Sequence, residues 1–163
     1  MNRTEADRCY TWDLSSLFAS QEAFDEQLKC SEEQLAALCS RKDHISDTIE
    51  TYIQFLEDQE RFERGLENLY VYAKMCTDVE PTDMQNQQNL AHASNLMQKA
   101  QLDLTFVSLE LIRHADTIRE YLKEERCRDF RYPMEELFRT IPHRLSDEME
   151  QLMSEVQEIA SVP

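Results

Sequence analysis

Apolar residues recur three and four positions apart along most of the chain, and this spacing predicts amphipathic α-helices. A first helix is predicted from the N-cap residue Ser20 to about Cys39. A second helical element is predicted over about residues 45–77, with a break or kink where the polar sequence EDQER separates Leu56 from Phe62. The pattern leaves open whether this element is one bent helix or two consecutive helices.

The third predicted helix, over about residues 83–114, has the most regular period in the chain. Its apolar seam consists of Leu90, Ala93, Met97, Ala100, Leu104, Val107 and Leu111. Because small alanines alternate with larger side chains along this seam, a neighbouring helix can approach closely. We expect that neighbour to be the antiparallel helix that ends at Cys76.

The segment from 66 to 83 predicts how these two helices are joined. Its shared apolar face consists of Leu66, Leu69, Ala73 and Cys76. The apolar pattern stops at Asp78, and Pro81 ends a short acidic turn. Thr82 is the predicted N-cap of the next helix, with Asp83 well placed against the positive end of that helix. The two long helices are therefore predicted to form an αα-hairpin.

The ends of the chain carry shorter elements. The first dozen residues are predicted to form an extended arm, anchored by apolar side chains around it. These anchors are Trp12, Leu14, Leu17 and Phe18. Short helical segments are expected over 116–126 and 133–140, with Pro133 near a helix start and Pro142 ending one. A last helix is expected from residue 147, capped by Ser146.

The composition agrees with this pattern, because one Gly and four Pro in 163 residues leave little material for the turns of a sheet protein. The predicted fold class is all-α: a multi-helix antiparallel bundle built on a long αα-hairpin, with a short extended N-terminal arm. The length predicts a single helical domain over residues 1–163.

The charge, the hydropathy and the cysteines of the sequence bear on its partners and its cellular compartment. With 33 acidic against 17 basic residues the formal charge is −16, which would repel nucleic acid. No apolar run is long enough to span a bilayer, and the polar N-terminus lacks the apolar core of an export signal, so no membrane partner is expected. The five cysteines, at 9, 30, 39, 76 and 127, include no Cys-x-x-Cys pair and are interpreted as reduced core thiols. These features predict a cytoplasmic protein.

The histidines and carboxylates of the sequence match none of the metal-binding motifs that were considered. The histidines are His44, His92, His114 and His143. No two of them are four residues apart, and the zinc-binding pattern H-E-x-x-H is absent. A di-iron carboxylate site needs Glu-x-x-His twice, and no histidine here has Glu three positions before it. The acidic turn does not match a calcium loop, because its sixth position is Asp83 and its twelfth is Asn89. We therefore predict no catalytic, cofactor-binding or metal-binding residue, and we interpret Asp78, Glu80 and Asp83 as turn and capping residues.

Two other features have a structural and a functional interpretation. His92, between two alanines, is interpreted as a helix-surface or interface residue rather than a metal ligand. Tyr70 and Tyr72, beside Leu69, could stack on a ligand, but aromatic residues at helical spacing usually belong to a core.

Four segments of the sequence carry a family resemblance: TWDLSSLF at 11–18, LYVYAKMCTDVEPTD at 69–83, TFVSLELI at 105–112 and YPMEELFRTIPHRLSDEMEQLM at 132–153. Together they resemble the N-terminal helical region of the oligoendopeptidase F family of zinc metallopeptidases. Their order and spacing agree with the family over nearly the whole chain. One departure is Ser108 and Leu109, which stand where the family commonly has a proline before Glu-Leu.

This resemblance implies a part of an enzyme rather than a complete one. Family members are several-fold longer, and their H-E-x-x-H lies in a catalytic domain that is expected to be absent here. The resemblance implies that this region forms one wall of a channel over the zinc site, which admits short oligopeptides. Zinc is expected only in the catalytic domain, and the chain itself is expected not to be an enzyme.

Two hypotheses for function remain. In the first, the chain is the non-catalytic N-terminal domain of an oligoendopeptidase F-like enzyme. Its partners would then be the catalytic domain, or a second copy that self-associates through an exposed apolar face, and an oligopeptide substrate in the full enzyme. In the second, the chain is a stand-alone acidic helical protein–protein interaction module. An apolar patch left by a missing partner favours the first hypothesis.

Overall fold

The computed structural model describes residues 13–141, and this part of the chain is helical without any strand. The α-helices are α1 (Gln21–Cys39), α2 (Ile49–Val79), α3 (Met84–Asp103), α4 (Thr105–Arg113), α5 (Ala115–Tyr121) and α6 (Arg131–Arg139). Two 3₁₀-helices cover Leu14–Ser16 and Glu125–Phe130. The all-α fold class is confirmed. No helix within the described part of the chain is long and apolar enough to cross a membrane.

The described part of the chain divides into two compact units, with the boundary between Leu111 and Ile112. The prediction of one domain over the whole chain stays a prediction. The predicted features at Trp12, Pro142, His143 and Ser146, including the last helix from residue 147, lie outside the described residues.

In the first unit, α1, α2 and α3 pack around a core of large apolar side chains. The fully buried large residues of this core are Phe24, Leu35, Leu38, Ile45, Tyr52, Phe55, Phe62 and Leu69. Ser20 caps α1 as predicted, with its hydroxyl oxygen accepting a hydrogen bond from the backbone N–H of Ala23 at 3.3 Å. Leu14 is buried and Phe18 packs against the core, so two of the predicted anchors are confirmed.

The second predicted element is one continuous helix, and it starts later than predicted. A capping box between Thr48 and Thr51 begins α2 at Ile49 and leaves residue 45 in the preceding loop. The continuous helix excludes a break after Leu56, whereas the kink given as the alternative stays a prediction. Phe55, rather than Leu56, belongs to the buried apolar face of α2. It lies seven residues, or about two turns, before Phe62, which is on the same face.

The hairpin between α2 and α3 is confirmed, but its cap is a different residue from the predicted one. Asp83, not Thr82, is the N-cap of α3, because its carboxylate accepts a hydrogen bond from the backbone N–H of Asn86 at 3.0 Å. The Thr77 hydroxyl, in the last turn of α2, donates to the carbonyl oxygen of Asn86 at 3.1 Å. This bond joins the two helices beside the turn.

The third predicted helix is divided at Leu104 into α3 and α4, so its prediction as one helix is wrong. The hydroxyl of Thr105 donates to the carbonyl oxygen of Leu102 at 2.8 Å, a local bond that competes with helical geometry. The seam is also corrected at one position, because Leu96 is buried whereas Met97 is 36% exposed.

The second unit contains shorter elements. The segment predicted over 116–126 is α5 followed by the 3₁₀-helix, and the segment predicted over 133–140 is α6. Pro133 lies in the first turn of α6, as predicted. The buried apolar residues of this unit are Ala115, Ile118, Leu122, Cys127, Met134 and Phe138.

Candidate functional site

The carboxylates of the acidic turn have structural roles. Asp83 caps α3, Asp78 forms an ion pair with Lys74 one turn earlier, and Glu80 is the C-cap residue of α2. Within residues 13–141 no cluster of three or more His, Cys, Asp or Glu side chains could hold a metal ion. The assignment of these acids to turns and caps agrees with the structure.

The described histidines occupy different kinds of position. His44 is exposed in the loop before α2, and a hydrogen bond to Asp47 at 2.8 Å raises the pKa of its imidazole. His92 is exposed on α3, as a helix-surface residue. His114 precedes α5 without a side-chain capping bond.

The described cysteines are only partly core residues, and Cys9 lies outside the described residues. Cys30 is exposed, so its assignment to the core is wrong; it lies outside the apolar face of α1 that buries Phe24 and Leu35. Cys39 and Cys76 are partly buried, and Cys127 is fully buried. Burial raises the pKa of the Cys127 thiol, which keeps it protonated and unreactive at neutral pH.

The aromatic residues near the hairpin belong to the core. Tyr72 makes an edge contact with Phe18, with ring centroids 5.2 Å apart, and it also packs against Phe24. Tyr70 packs against the same core cluster. The structural interpretation of these tyrosines is confirmed.

Two buried polar side chains were missed by the sequence reasoning. Glu110, 3% exposed, accepts backbone N–H bonds from Asp43 at 2.7 Å and from Ile45 at 2.8 Å. Asn89, also 3% exposed, exchanges two amide hydrogen bonds with Gln21, at 2.9 and 3.0 Å. Both satisfy their own polar groups and tie together segments distant in sequence, so they serve the fold.

A cavity of about 560 Å³ lies in the second unit, among α5, α6 and the turn after α5. Its lining consists of Arg119, Leu122, Lys123, Arg131, Glu135, Phe138 and Arg139. Four of these seven side chains are cationic and one is acidic. The site is therefore a basic cavity in a chain whose formal charge is −16.

Two of the cations are held by contacts with the fold. The guanidinium of Arg131 donates to the carbonyl oxygens of Leu122 at 2.8 Å and Glu124 at 3.0 Å, in the turn after α5. The guanidinium of Arg119 lies 5.2 Å from the ring centroid of Phe138, a cation–π contact. These contacts fix the positions of both charges at the cavity wall.

The other two cations are held more loosely. Arg139 pairs with Glu136 at 2.8 Å, and Lys123 pairs with Glu120 at 2.5 Å, each three residues away on the helix surface. The side chains of Arg139 and Lys123 are about 70% exposed. Exposed pairs of this kind contribute at most about 1 kcal/mol, so a ligand can replace the acidic partner.

Sequence reasoning missed this cavity because it treated the charge of the chain as a whole. Residues 112–141 contain seven of the 17 basic residues, matched there by seven acidic ones. Within this segment, Arg119 and Lys123 are only four residues apart in sequence. That local concentration is the signal that could have indicated the site.

Comparison with known proteins gives a consistent result. A family model described as Oligopeptidase F matches residues 113–163. This model represents the N-terminal region of the oligopeptidase F proteins. The chain is 26% identical to Group B oligopeptidase PepB of Streptococcus agalactiae over 97% of this chain and 27% of the relative. It is 26% identical to Oligopeptidase PepF of Bacillus subtilis over 97% of this chain and 24% of the relative.

A third relative, the plasmid-encoded Oligoendopeptidase F of Lactococcus lactis subsp. cremoris, is 25% identical over 99% of this chain and 28% of the relative. The chain thus spans about a quarter of the length of the curated relatives that it matches. No solved structure matches it significantly. The resemblance predicted from the sequence is therefore confirmed: the chain is similar to the oligoendopeptidase F proteins over nearly its whole length, and residues 113–163 match the model of their N-terminal region.

Proposed function

We propose that the chain is the N-terminal helical part of an oligoendopeptidase F-like zinc metallopeptidase that hydrolyses short oligopeptides. In this proposal it forms one wall of the substrate channel and contributes no catalytic group. Zinc and the catalytic glutamate belong to a separate catalytic part, which is its principal partner. The proposed location is the cytoplasm.

The similarity to peptidases along nearly the whole chain is the observation that carries this proposal. The match extends over 97% of the chain and reaches only about a quarter of each relative. The sequence contains no H-E-x-x-H pattern. In the described part of the chain, the buried polar groups Glu110 and Asn89 are occupied in holding helices and loops. These features suit a scaffold better than a catalytic centre.

Exposed apolar side chains favour a contact with a partner. Leu102 is 72% exposed and Leu109 is 42% exposed, near the junction of α3 and α4. Such residues suit an interface with the catalytic part or with a second copy. The alternative function, a stand-alone interaction module, would use the same residues to bind an unrelated protein.

The proposal is tested by incubating the purified chain with zinc and a mixture of peptides of five to twelve residues, and analysing them by mass spectrometry. We expect every peptide to remain intact. Cleavage that is removed by a zinc chelator would overturn the non-catalytic assignment. Sedimentation of wild type and the double variant Leu102→Ser, Leu109→Ser tests the apolar contact, since self-association should decrease in the variant.

A further inference from the structure

The basic cavity of the second unit has the size of an organic ligand rather than of a bare ion. Its volume is about 560 Å³, whereas one water molecule occupies about 30 Å³ in the liquid. Sites for small organic molecules usually have volumes of about 300–1,000 Å³. A free inorganic anion would leave most of this space to water.

The lining combines positive charge with an apolar surface. Lys123 and Arg139 place exposed cations at the cavity, and Leu122 and Phe138 supply apolar surface beside them. A ligand that suits this lining has an anionic group joined to an apolar side chain. A short peptide with a free terminal carboxylate and an apolar last residue has this chemistry.

We propose that this cavity binds the terminal carboxylate of a short peptide through Lys123 and Arg139, with the last side chain against Leu122 and Phe138. The identification of the ligand as a peptide rests on the proposed function, whereas the anion-binding character rests on the lining alone. Arg131 is a positioning residue, because its guanidinium is bonded to backbone carbonyl oxygens.

Carboxylate binding has to displace existing contacts. Glu120 and Glu136 pair with Lys123 and Arg139, and Asp116 pairs with Arg119 at 2.8 Å. These pairs lie on the exposed surface, where water and salt screen them. In the proposed complex one carboxylate contacts both Lys123 and Arg139, and so competes with acids that each contact one cation. Glu135 is the acid in the lining itself, and it opposes the ligand's charge.

The experiment uses the full chain and calorimetric titration with acetyl-Gly-Gly-Ala-Leu as the free acid and as the C-terminal amide. We expect the free acid to bind at low ionic strength and the amide to bind at least about tenfold more weakly, because it lacks the charge that the cations recognise. Inorganic phosphate forms a third arm. Phosphate that binds as tightly as the free acid would contradict the peptide assignment.

Variants distinguish the cavity from general surface charge. Lys123→Gln and Arg139→Gln should each weaken binding roughly two- to fivefold, the range of exposed charge contacts. Glu135→Gln should strengthen it. Arg128→Gln is the matched control, since Arg128 is an exposed cation of the same unit that pairs with Glu125 at 3.8 Å but does not line the cavity. Far-UV circular dichroism verifies that each variant is folded.

The outcomes separate this proposal from the proposed function. Absence of binding, equal binding of acid and amide, or equal weakening by Arg128→Gln would overturn the cavity as a carboxylate site. Mass spectrometry of the same samples reports cleavage, which would overturn only the non-catalytic role. Binding of the acid that Lys123→Gln and Arg139→Gln both weaken, with intact peptide, supports both.

Discussion

The two units of the chain differ in how they use charge. Residues 13–111 contain 19 acidic and seven basic side chains, on three long helices with a core of large apolar residues. Residues 112–141 contain seven of each, on short helices around a basic cavity. The first unit uses its buried polar groups to join its own segments, whereas the second leaves cations facing a cavity. Ligand chemistry is therefore expected in the smaller, charge-balanced unit.

The largest expected loss of stability comes from a substitution in the core of the first unit. Phe24 is fully buried and contacts Phe18 with ring centroids 5.5 Å apart. Phe24→Ala should lower the free energy of unfolding by about 3–5 kcal/mol, through lost burial and the cavity that remains. Chemical denaturation followed by circular dichroism measures this change.

Tyr132→Ala in the second unit is the control, because Tyr132 is 72% exposed and should change stability by less than about 0.5 kcal/mol. Equal effects of the two substitutions would contradict the burial of Phe24 in the core of the first unit.

The next largest loss of stability is expected from removing the buried carboxylate of Glu110 in the first unit. Glu110→Ala leaves the backbone N–H groups of Asp43 and Ile45 without their acceptor and should cost about 2–3 kcal/mol. Asp43 has a positive φ of 67°, a conformation unfavourable for a residue other than glycine, so the loop depends on this acceptor. Hydrogen exchange of the loop amides should increase in the variant.

Glu67→Ala, at an exposed position on α2, is the matched control for Glu110→Ala. The Glu110 variant should lose stability and the Glu67 variant should not. Two indistinguishable denaturation curves would show that the carboxylate does not support the loop.

A smaller effect is expected at Asp58, which binds Arg41 at 2.7 Å and joins the loop after α1 to α2. Burial acts to raise the pKa of Asp58, but hydrogen bonds from Arg41 and Gln54 and the charges of Arg41 and Arg61 outweigh it and lower the pKa. The stability from this lowered pKa is present above about pH 4, the ordinary value for Asp, and is lost as the pH falls through the folded-state pKa.

Asp58→Asn should therefore reduce the free energy of unfolding at pH 7 by about 1 kcal/mol and flatten its decrease below about pH 4. Unfolding measured from pH 7 to pH 2.5 reports both changes. Glu60→Gln, which removes the more exposed pair with Arg64 on the same helix, is the control and should have a smaller effect at pH 7. An unchanged pH profile in the Asp58 variant would contradict this account.

The sequence predicted those parts of the fold that depend on local pattern and composition. The Ser20 cap, the hairpin and the packing of α2 on α3 follow from apolar spacing and turn residues. The break after Leu56 was wrong because Phe55, which the fold buries, continues the stripe. The division at Leu104 was missed because a hydroxyl of the neighbouring residue forms a local backbone bond, which apolar spacing does not report.

The candidate site was harder to predict than the fold. Lys123 lies in the turn after α5 and Arg139 ends α6, and only the path of the chain between them brings both to one cavity. The role of Glu110 likewise depends on a loop more than 60 residues earlier in the sequence. Such long-range contacts leave no periodic signal in one sequence.

The most direct test is a ¹⁵N-labelled titration of the full chain with the free-acid peptide acetyl-Gly-Gly-Ala-Leu in the presence of zinc. The central claim is that this chain holds peptides through its second unit and does not cleave them. We predict amide shifts concentrated in residues 119–139, unchanged amides over residues 21–79, and peptide signals that remain those of the intact molecule. Shifts centred on residues 21–79, or the appearance of cleavage products, would contradict the claim.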